Sequence, residues 1–275
     1  MGEAPGLYVH VPFCARACPY CDFDFEVGRE PAAEAFVEAL ESERRGRALP
    51  LGMPVRTVYV GGGTPSLLGP TGLRALLRWI DTSFDARGAV ERTVELNPEH
   101  VDVALLDALV DHGVDRVSLG VQSLEPAALV QLGRVHGAER ARAALAAAVA
   151  RGLRVSADLI VGWPGQRAAS LRADVEGILA TGVEHVSIYA LTIEAGTPWE
   201  ALVRRGCRHE PDADAQAERL MEAAAWLEAA GLHHYEVASY ARPGARAIHN
   251  LGYWTWRDYL GLGPSAHSAV FAADG

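Results

Sequence analysis

Residues 7–25 read LYVHVPFCARACPYCDFDF and hold three of the chain's four cysteines. These are Cys14, Cys18 and Cys21, in the spacing Cys-x3-Cys-x2-Cys, and an apolar run leads into them. Thiolates held this close together on one loop repel each other unless they bind a metal. The stretch therefore predicts a buried strand followed by a metal-binding loop, and the remaining chain is the scaffold that carries this loop.

Beyond the loop, apolar β-branched runs alternate with segments of helical apolar spacing. The six predicted strands are residues 7–12, 55–60, 90–96, 115–121, 153–161 and 184–191. The predicted helices between and after them are residues 31–49, 70–83, 102–112, 125–132, 138–151 and 168–181. Alternation of this kind is typical of parallel strands joined by right-handed helical crossovers.

Polar or glycine-rich features fall at or near the carboxyl end of every predicted strand. They are Cys14, the segment 61–64, Glu95, Gln122, Asp158 and Tyr189. In a parallel barrel these ends converge on one mouth, whereas an open sheet uses only its switch point. Six contributing strands favour an α/β fold of the partial (β/α)6 barrel type, similar to a TIM barrel with six units in place of eight.

The regular alternation of predicted strands and helices ends after residue 191. A long helix is predicted over residues 212–230 and a strand over 235–240, followed by an aromatic and glycine-rich tail. We expect residues 1–200 to form the barrel core and residues 201–275 to form an α+β extension packed on it. The tail ends without a capping helix, and we expect a further C-terminal domain to be absent from this chain.

The composition is that of a globular protein, with 275 residues, 49% of them hydrophobic and 22% charged. The net charge is −10, and the 25 basic residues, all of them arginine, are dispersed along the chain, which disfavours nucleic-acid binding. No apolar run reaches the roughly 20 residues of a membrane span, and the N-terminus lacks a signal pattern. These features predict a cytoplasmic protein without a transmembrane segment.

The three cysteines leave one metal position unfilled in either site that they suit. A tetrahedral zinc site needs four ligands, and a four-iron, four-sulfur cluster has four metal corners. His10 is the candidate fourth ligand of a zinc site, although the spacing is not that of a zinc ribbon. Cys207 lies in a polar stretch and is interpreted as an exposed thiol.

Six segments together resemble the radical S-adenosylmethionine (SAM) superfamily. They are YVHVPFC…CPYC, GGGTPS, ELNP, SLGVQS, DLIVGWPGQ and HNxxYW. The resemblance covers nearly the whole chain and is closest to the branch that holds oxygen-independent coproporphyrinogen III oxidase and the haem chaperones. It implies a partial (β/α)6 barrel with a [4Fe-4S] cluster on Cys14, Cys18 and Cys21, and SAM on the fourth iron.

The same resemblance implies where SAM lies. Tyr8 and Tyr20 match positions that contact SAM or its adenine. Gly62, Gly63 and Thr64 match the glycine-rich strand end along its amino group, where glycine lets the backbone approach a ligand closely.

Four further residues match cavity-lining positions: Glu95, Gln122, Arg134 and Asp158. A plain surface carboxylate is the alternative for Glu95, and a solvated helix-end charge is the alternative for Arg134. Asp158 lies inside an apolar run, where an unpaired charge would cost several kcal/mol, so we expect it to have a partner.

Two departures from the oxidase pattern point to the chaperones. Phe23 stands where the oxidase usually carries one more cysteine, and His249 begins an HNxxYW segment of the kind implicated in haem binding. A neutral imidazole is an axial haem ligand, and flanking aromatic rings suit a porphyrin face. The alternative is that the aromatics of this segment are core and His249 is a surface residue. His267, His233 and His234 are rival ligands.

The sequence therefore predicts a protein that binds haem and passes it to acceptor proteins, without coproporphyrinogen oxidase activity. The alternatives are a working oxidase of porphyrin biosynthesis and a zinc-stabilised α/β binding module. No side chain is assigned a catalytic role, and whether the chain is an enzyme stays open. The implied partners are haem or porphyrin, a haem acceptor and an electron donor; a homodimer and peripheral membrane contact also stay open.

Overall fold

A nine-stranded sheet forms the body of the protein in the computed structural model, which describes residues 3–28 and 31–271. The strands are β1 (Gly6–Val11), β2 (Thr57–Gly62), β3 (Glu91–Leu96), β4 (Arg116–Gln122), β5 (Arg154–Val161), β6 (His185–Ala190), β7 (His233–His234), β8 (Ser239–Ala241) and β9 (Tyr259–Leu262). Their order in the sheet is β7-β8-β6-β5-β4-β3-β2-β1-β9.

Strands β1 to β6 lie side by side in chain order, and each pairs with the next in parallel. Nine α-helices lie within the described residues: α1 (Ala33–Gly46), α2 (Gly69–Ser83), α3 (Val103–Asp111), α4 (Pro126–Gln131), α5 (Ala138–Ala150), α6 (Ala168–Leu179), α7 (Pro198–Arg204), α8 (Ala213–Ala229) and α9 (Ile248–Trp254). The predicted α/β architecture, a partial (β/α)6 barrel, is confirmed.

The two faces of the strands differ sharply in polarity. On β4, Val117, Leu119 and Val121 are fully buried in the main hydrophobic core. The alternate positions of the strands carry buried polar side chains, which face the barrel interior: Thr57, Glu91, Thr93, Arg116, Ser118, Ser156, His185 and Ser187. Barrel interiors are usually filled by Val, Ile and Leu, so this polar interior is a feature that the function has to explain.

The segment after residue 191 differs from its prediction in three places. Residues 235–240 do not form one strand, because the Tyr235 amide donates to the Ser239 carbonyl and closes a turn between β7 and β8. The HNxxYW segment is helical and forms α9. β9 pairs in parallel with β1, so the C-terminal part extends the same sheet at both edges. The boundary at residue 200 stays a prediction.

Candidate functional site

A cavity of about 630 Å3 opens at the carboxyl ends of the barrel strands. Its volume is in the range of small-molecule and cofactor sites. Eleven of the thirteen residues predicted for cofactor or haem binding line it: Cys14, Cys18, Cys21, Tyr20, Gly62, Gly63, Thr64, Glu95, Gln122, Arg134 and Asp158. The other two, Tyr8 and His249, lie elsewhere in the barrel.

The three cysteines of the loop are free thiols and half-buried. The Thr64 hydroxyl lies 3.5 Å from Cys14 Sγ, and Nη1 of Arg134 donates to Cys18 Sγ at 3.7 Å. Burial raises the pKa of the Cys14 and Cys21 thiols. Without a metal these thiols keep their protons, and metal binding must release them.

The cysteine loop and the glycine-rich strand end are packed against each other. A side chain at Gly63 would place its Cβ 3.0 Å from Cys14 Sγ and 2.8 Å from the Phe13 carbonyl. At Gly62, where φ is +109°, a Cβ would lie 2.8 Å from the His10 ring. Glycine is therefore required at both positions, because backbone and thiols share one wall of the cavity.

The donor set fits a multi-iron cluster better than a single zinc ion. Within residues 3–28 and 31–271, no three His, Cys, Asp or Glu side chains converge closely enough to hold one metal ion. His10, the proposed fourth zinc ligand, has both ring nitrogens engaged, at 3.0 Å from the Tyr8 hydroxyl and 2.9 Å from the Asp24 carbonyl. Three thiols without a fourth protein ligand match a cluster that keeps one iron open.

Two half-buried carboxylates line the cavity and are hydrogen-bonded to neighbouring strands. The Tyr59 hydroxyl donates to Glu95 Oε1 at 2.7 Å, and the Gly62 amide donates to Oε2 at 3.1 Å. The Ser118 hydroxyl lies 3.2 Å from both carboxylate oxygens of Asp158. Burial raises the pKa of Glu95 to about 7 and that of Asp158 to about 6. Both groups therefore favour a cationic ligand that restores their ionised forms.

Two polar side chains shape the cavity beside the cysteine loop. Arg134 donates to Asn97 Oδ1 at 2.6 Å and to the Gly120 carbonyl at 3.0 Å, so it is not a solvated helix-end charge. Gln122 has φ of +65°, where the β4–β5 register shifts. A non-glycine residue in this left-handed region is strained, and such strain is common where a side chain is aimed at a ligand.

The two predicted tyrosines occupy different places. Tyr20 lines the cavity and packs against a small hydrophobic cluster that includes Leu132 and Trp199. Tyr8 points into the barrel beneath the cavity, where its hydroxyl meets the His10 ring and burial raises its pKa. Phe23 lies at the cavity mouth with 63% of its surface exposed.

His249 lies at the opposite end of the barrel, among the first residues of the strands. Its Nδ1 is 2.8 Å from the hydroxyl of Thr57, which begins β2, and its Nε2 is 2.7 Å from the Tyr253 hydroxyl. The ring is 3% exposed, and burial lowers its pKa to about 3. His249 is therefore neutral, and both of its ring nitrogens are engaged. We call this end of the barrel, which is formed by α9, Thr57 and Glu91, the floor.

A buried carboxylate holds the floor helix in place. Glu91, at the start of β3, accepts the amides of Ile248 and His249 at 2.9 and 2.8 Å, and it pairs with Arg154 at 3.3 Å. Helix α9 has no side-chain cap of its own. Glu91 thus satisfies donors that would otherwise be unpaired, and its charge suits the helix N-terminus.

Aromatic side chains cover the outer surface of the floor. Tyr253, Trp254 and Trp256 are 37%, 53% and 76% exposed. The alternative that these rings are core and His249 is a surface residue is therefore wrong. The cavity that His249 lines has a volume of only about 20 Å3, room for one water molecule.

The sequence interpretation missed the residues that hold the predicted ones in place. Tyr59, Ser118 and Arg116 face the interior beside Glu95 and Asp158. The signal that identifies them is polar residues at alternate positions of otherwise apolar strands, as in Arg116-x-Ser118. In strands buried on both sides, this period of two marks the interior face.

This fold and cavity define a class of protein. The family model of the radical SAM superfamily matches residues 8–178. The chain therefore belongs to the radical SAM superfamily.

Two sequence relatives and one solved structure show more specific similarities. The chain is 42% identical over 274 residues to the heme chaperone HemW of Mycobacterium tuberculosis, covering 98% of this chain and 70% of that protein. It is 36% identical over 277 residues to HemW of Escherichia coli, covering 98% of this chain and 71% of that protein. The solved structure of the Escherichia coli coproporphyrinogen III oxidase HemN, a radical SAM enzyme, matches with a TM-score of 0.81 at 27% identity. That match covers 97% of this chain and 65% of the HemN chain.

None of the helices in the described residues is both long and apolar enough to span a membrane.

Proposed function

We propose that this protein is a haem chaperone: it binds haem, carries a [4Fe-4S] cluster with SAM, and passes haem to acceptor proteins without oxidising coproporphyrinogen. The observation that carries the proposal is Phe23, an exposed aromatic ring at the mouth of a three-cysteine cavity. The oxidase pattern has a further cysteine at that position. Relatives named heme chaperone HemW, at 36–42% identity over nearly the whole chain, support the same function.

The cofactors occupy the cavity at the mouth. Cys14, Cys18 and Cys21 bind three irons, and when bound the cluster supplies electron transfer to SAM. Gly62 and Gly63 offer backbone amides and carbonyls at close range to the amino end of SAM. Thr64 orients the Cys14 thiol, with its hydroxyl 3.5 Å from the sulfur. Tyr20, Glu95, Gln122, Arg134 and Asp158 line other parts of the same cavity.

Haem binds at the floor, with His249 as the iron ligand. The exposed rings of Trp254 and Trp256 offer an apolar surface for a porphyrin. Because the cavity beside His249 holds no more than one water molecule, haem lies on the outside of the floor. For its Nε2 to reach the iron, His249 has to give up its hydrogen bond to Tyr253. Tyr8 contributes only indirectly to either site, from inside the barrel.

The remaining partners follow from this role. A reductant delivers electrons to the cluster, and an acceptor protein takes haem from the floor. A homodimer and peripheral contact with a membrane are compatible with haem transfer, and the chain acts in the cytoplasm.

The test is a pair of assays on anaerobically reconstituted protein. Haem titration should give saturable binding, and incubation of coproporphyrinogen III with SAM and dithionite should give no protoporphyrinogen. Robust protoporphyrinogen formation would contradict the proposal. His249→Ala is the companion variant, with His267→Ala as a control on an exposed histidine.

The second candidate function is oxygen-independent coproporphyrinogen III oxidase. The observation in its favour is the TM-score of 0.81 to HemN over 97% of this chain. Its cavity would then accept the tetrapyrrole beside SAM, and turnover in the same assay decides between the two functions.

A further inference from the structure

Arg116 is a buried guanidinium group without a counter-ion in contact. It lies on β4 and is 2% exposed, and its Nε has no hydrogen-bond partner. Across residues 3–28 and 31–271, none of the ion pairs within 4 Å involves Arg116. A buried charge without a partner costs several kcal/mol. The fold retains this charge at the centre of the barrel, so a compensating interaction is to be expected nearby.

Register places Arg116 directly beneath the two cavity carboxylates. In the β3–β4 ladder, Glu95 is paired with Ser118, and Thr93 is paired with Arg116. Ser118 also contacts both oxygens of Asp158 at 3.2 Å. Because residues two apart on a strand share a face, Arg116 lies one layer below Ser118 and therefore below both carboxylates.

Arg116 influences the pKa values of Glu95 and Asp158 without an ion-pair contact to either carboxylate. Burial raises the pKa of Glu95 and Asp158, and the Arg116 charge lowers both pKa values again. The titratable groups that face the pair from the other elements are Tyr8 on β1, Tyr59 on β2, Arg134 after α4, Tyr189 on β6, His185 on β6 and His249 on α9. The tyrosines and histidines are neutral at pH 7, since burial raises the pKa of the former and lowers that of the latter.

The charge balance of the layer matches one kind of ligand. In this layer the two carboxylates, when both are ionised, and the Arg116 guanidinium leave one net negative charge beneath the cavity. The second guanidinium, Arg134, lies beside the cysteine loop, where it is bonded to Asn97, the Gly120 carbonyl and Cys18. SAM carries a sulfonium, an ammonium and a carboxylate, which leave one net positive charge. S-adenosylhomocysteine has the same skeleton but lacks the S-methyl group and, with it, the sulfonium charge. Charge complementarity of this kind discriminates between ligands more than it raises affinity in general.

We propose that Arg116 is a positioning residue that keeps Glu95 and Asp158 ionised together, so that the cavity selects a sulfonium ligand over the corresponding neutral thioether, which lacks only the S-methyl group. This inference rests on the proposed function, since it takes SAM as the ligand of the cavity.

The first test compares the two ligands by calorimetric titration of the reconstituted full chain between pH 6 and 9. Wild type should prefer SAM, and the preference should grow as pH rises. Arg116→Met should lose about tenfold of this preference at pH 7, the change expected for a pKa shift of one unit, and regain it by pH 9. Arg116→Lys should keep the wild-type profile. Thr93→Val is the matched control, because Thr93 is the buried register partner with an unpartnered hydroxyl and no charge.

A purely structural role gives a different result. Arg116→Met would then weaken both ligands by the same factor at every pH, and the proposal would be wrong. A wild-type chain that binds neither ligand would contradict the proposed function itself.

The second test needs no ligand and therefore separates these failures. Unfolding of the cluster-free chain by urea should show that Arg116→Met loses more stability at pH 8 than at pH 5, because its carboxylates then ionise without a counter-charge. In a Glu95→Gln, Asp158→Asn background the same substitution should cost nothing or stabilise, which also provides a folded reference if Arg116→Met alone does not fold. Equal losses at both pH values, or an unchanged loss in that background, would overturn the proposal.

Discussion

The mouth and the floor of the barrel are built from the same inward-facing polar rows but differ in how those polar atoms are satisfied. At the mouth, the oxygens of Glu95 and Asp158 accept hydrogen bonds from the protein, but both carboxylates also line the large cavity and keep lone pairs free for a ligand there. At the floor, both ring nitrogens of His249 and both oxygens of Glu91 are engaged by the protein. A polar group that keeps unused capacity toward a cavity is available to a ligand, whereas a satisfied one stabilises the fold. The mouth therefore offers a preformed cavity, whereas the floor would have to rearrange before His249 could reach a ligand.

The largest predicted effect concerns the mouth. Replacing Cys14, Cys18 and Cys21 together by serine should abolish cluster assembly, because serine does not supply the thiolates that hold the irons. Iron and sulfide analysis after anaerobic reconstitution should fall to background. Cys207→Ser, which removes the exposed cysteine, should retain the full iron content. Iron bound stoichiometrically by the triple variant would place the cluster elsewhere.

The next effect concerns the stability of the floor. Glu91→Gln should lower the free energy of unfolding by about 2–4 kcal/mol, since it removes a buried charge from two amides and from Arg154. Urea unfolding monitored by circular dichroism measures it, and iron content should not change. Glu139→Gln, at a 92% exposed side chain, is the control and should stay within about 0.5 kcal/mol. An equally small effect at Glu91 would remove its role as the cap of α9.

The third prediction is a pH dependence that belongs to the mouth. Burial raises the pKa of Glu95 from 4.5 to about 7, so the folded chain holds this proton more tightly than the unfolded chain. The resulting stabilisation is complete below pH 4.5 and is lost as pH rises through 7, by at most about 3 kcal/mol in the ligand-free protein. Unfolding free energies at pH 5 and 8 measure it.

The Glu95→Gln variant should not show this loss of unfolding free energy between pH 5 and 8. SAM affinity should change in the opposite direction, increasing over the same pH range in wild type because the carboxylate is then ionised. If the Glu95→Gln variant kept the wild-type pH dependence of the unfolding free energy, that dependence would belong to other groups.

The smallest effect concerns haem at the floor. Tyr253→Phe removes the hydroxyl that competes for Nε2 of His249. If His249 binds the iron, the variant should bind haem about fivefold more tightly, since a neutral hydrogen bond contributes about 1 kcal/mol. Haem titration followed by Soret absorbance measures this change. Unchanged affinity in both Tyr253→Phe and His249→Ala would remove the floor from haem binding.

The barrel was predictable because its signals are local and redundant. Each strand–helix unit has its own apolar pattern, and the polar residues at the carboxyl ends of all six strands indicated a single shared opening of the barrel. The strand predicted over residues 235–240 was wrong, because the turn there depends on pairing with β6 and not on composition. The short helix α9 was missed, since its cap is Glu91, more than 150 residues away in sequence.

The gathering of these residues around one cavity was predictable where family motifs and chemistry coincide, as at the cysteine loop. The supporting residues were not found, because Tyr59 and Ser118 are ordinary residue types whose roles appear only through strand register. The state of His249 was not predictable either. Its motif indicates haem binding, but nothing in the motif reveals that Thr57 and Tyr253 already engage both of its nitrogens.

The most direct test of the central claim, that cluster and haem occupy opposite ends of the barrel, is one preparation series analysed for both iron–sulfur and haem content. The cysteine triple variant should lose its iron and sulfide yet retain haem binding. His249→Ala should retain the cluster and lose haem. A triple variant that loses haem together with the cluster, or His249→Ala protein with wild-type haem content, would contradict two separate sites.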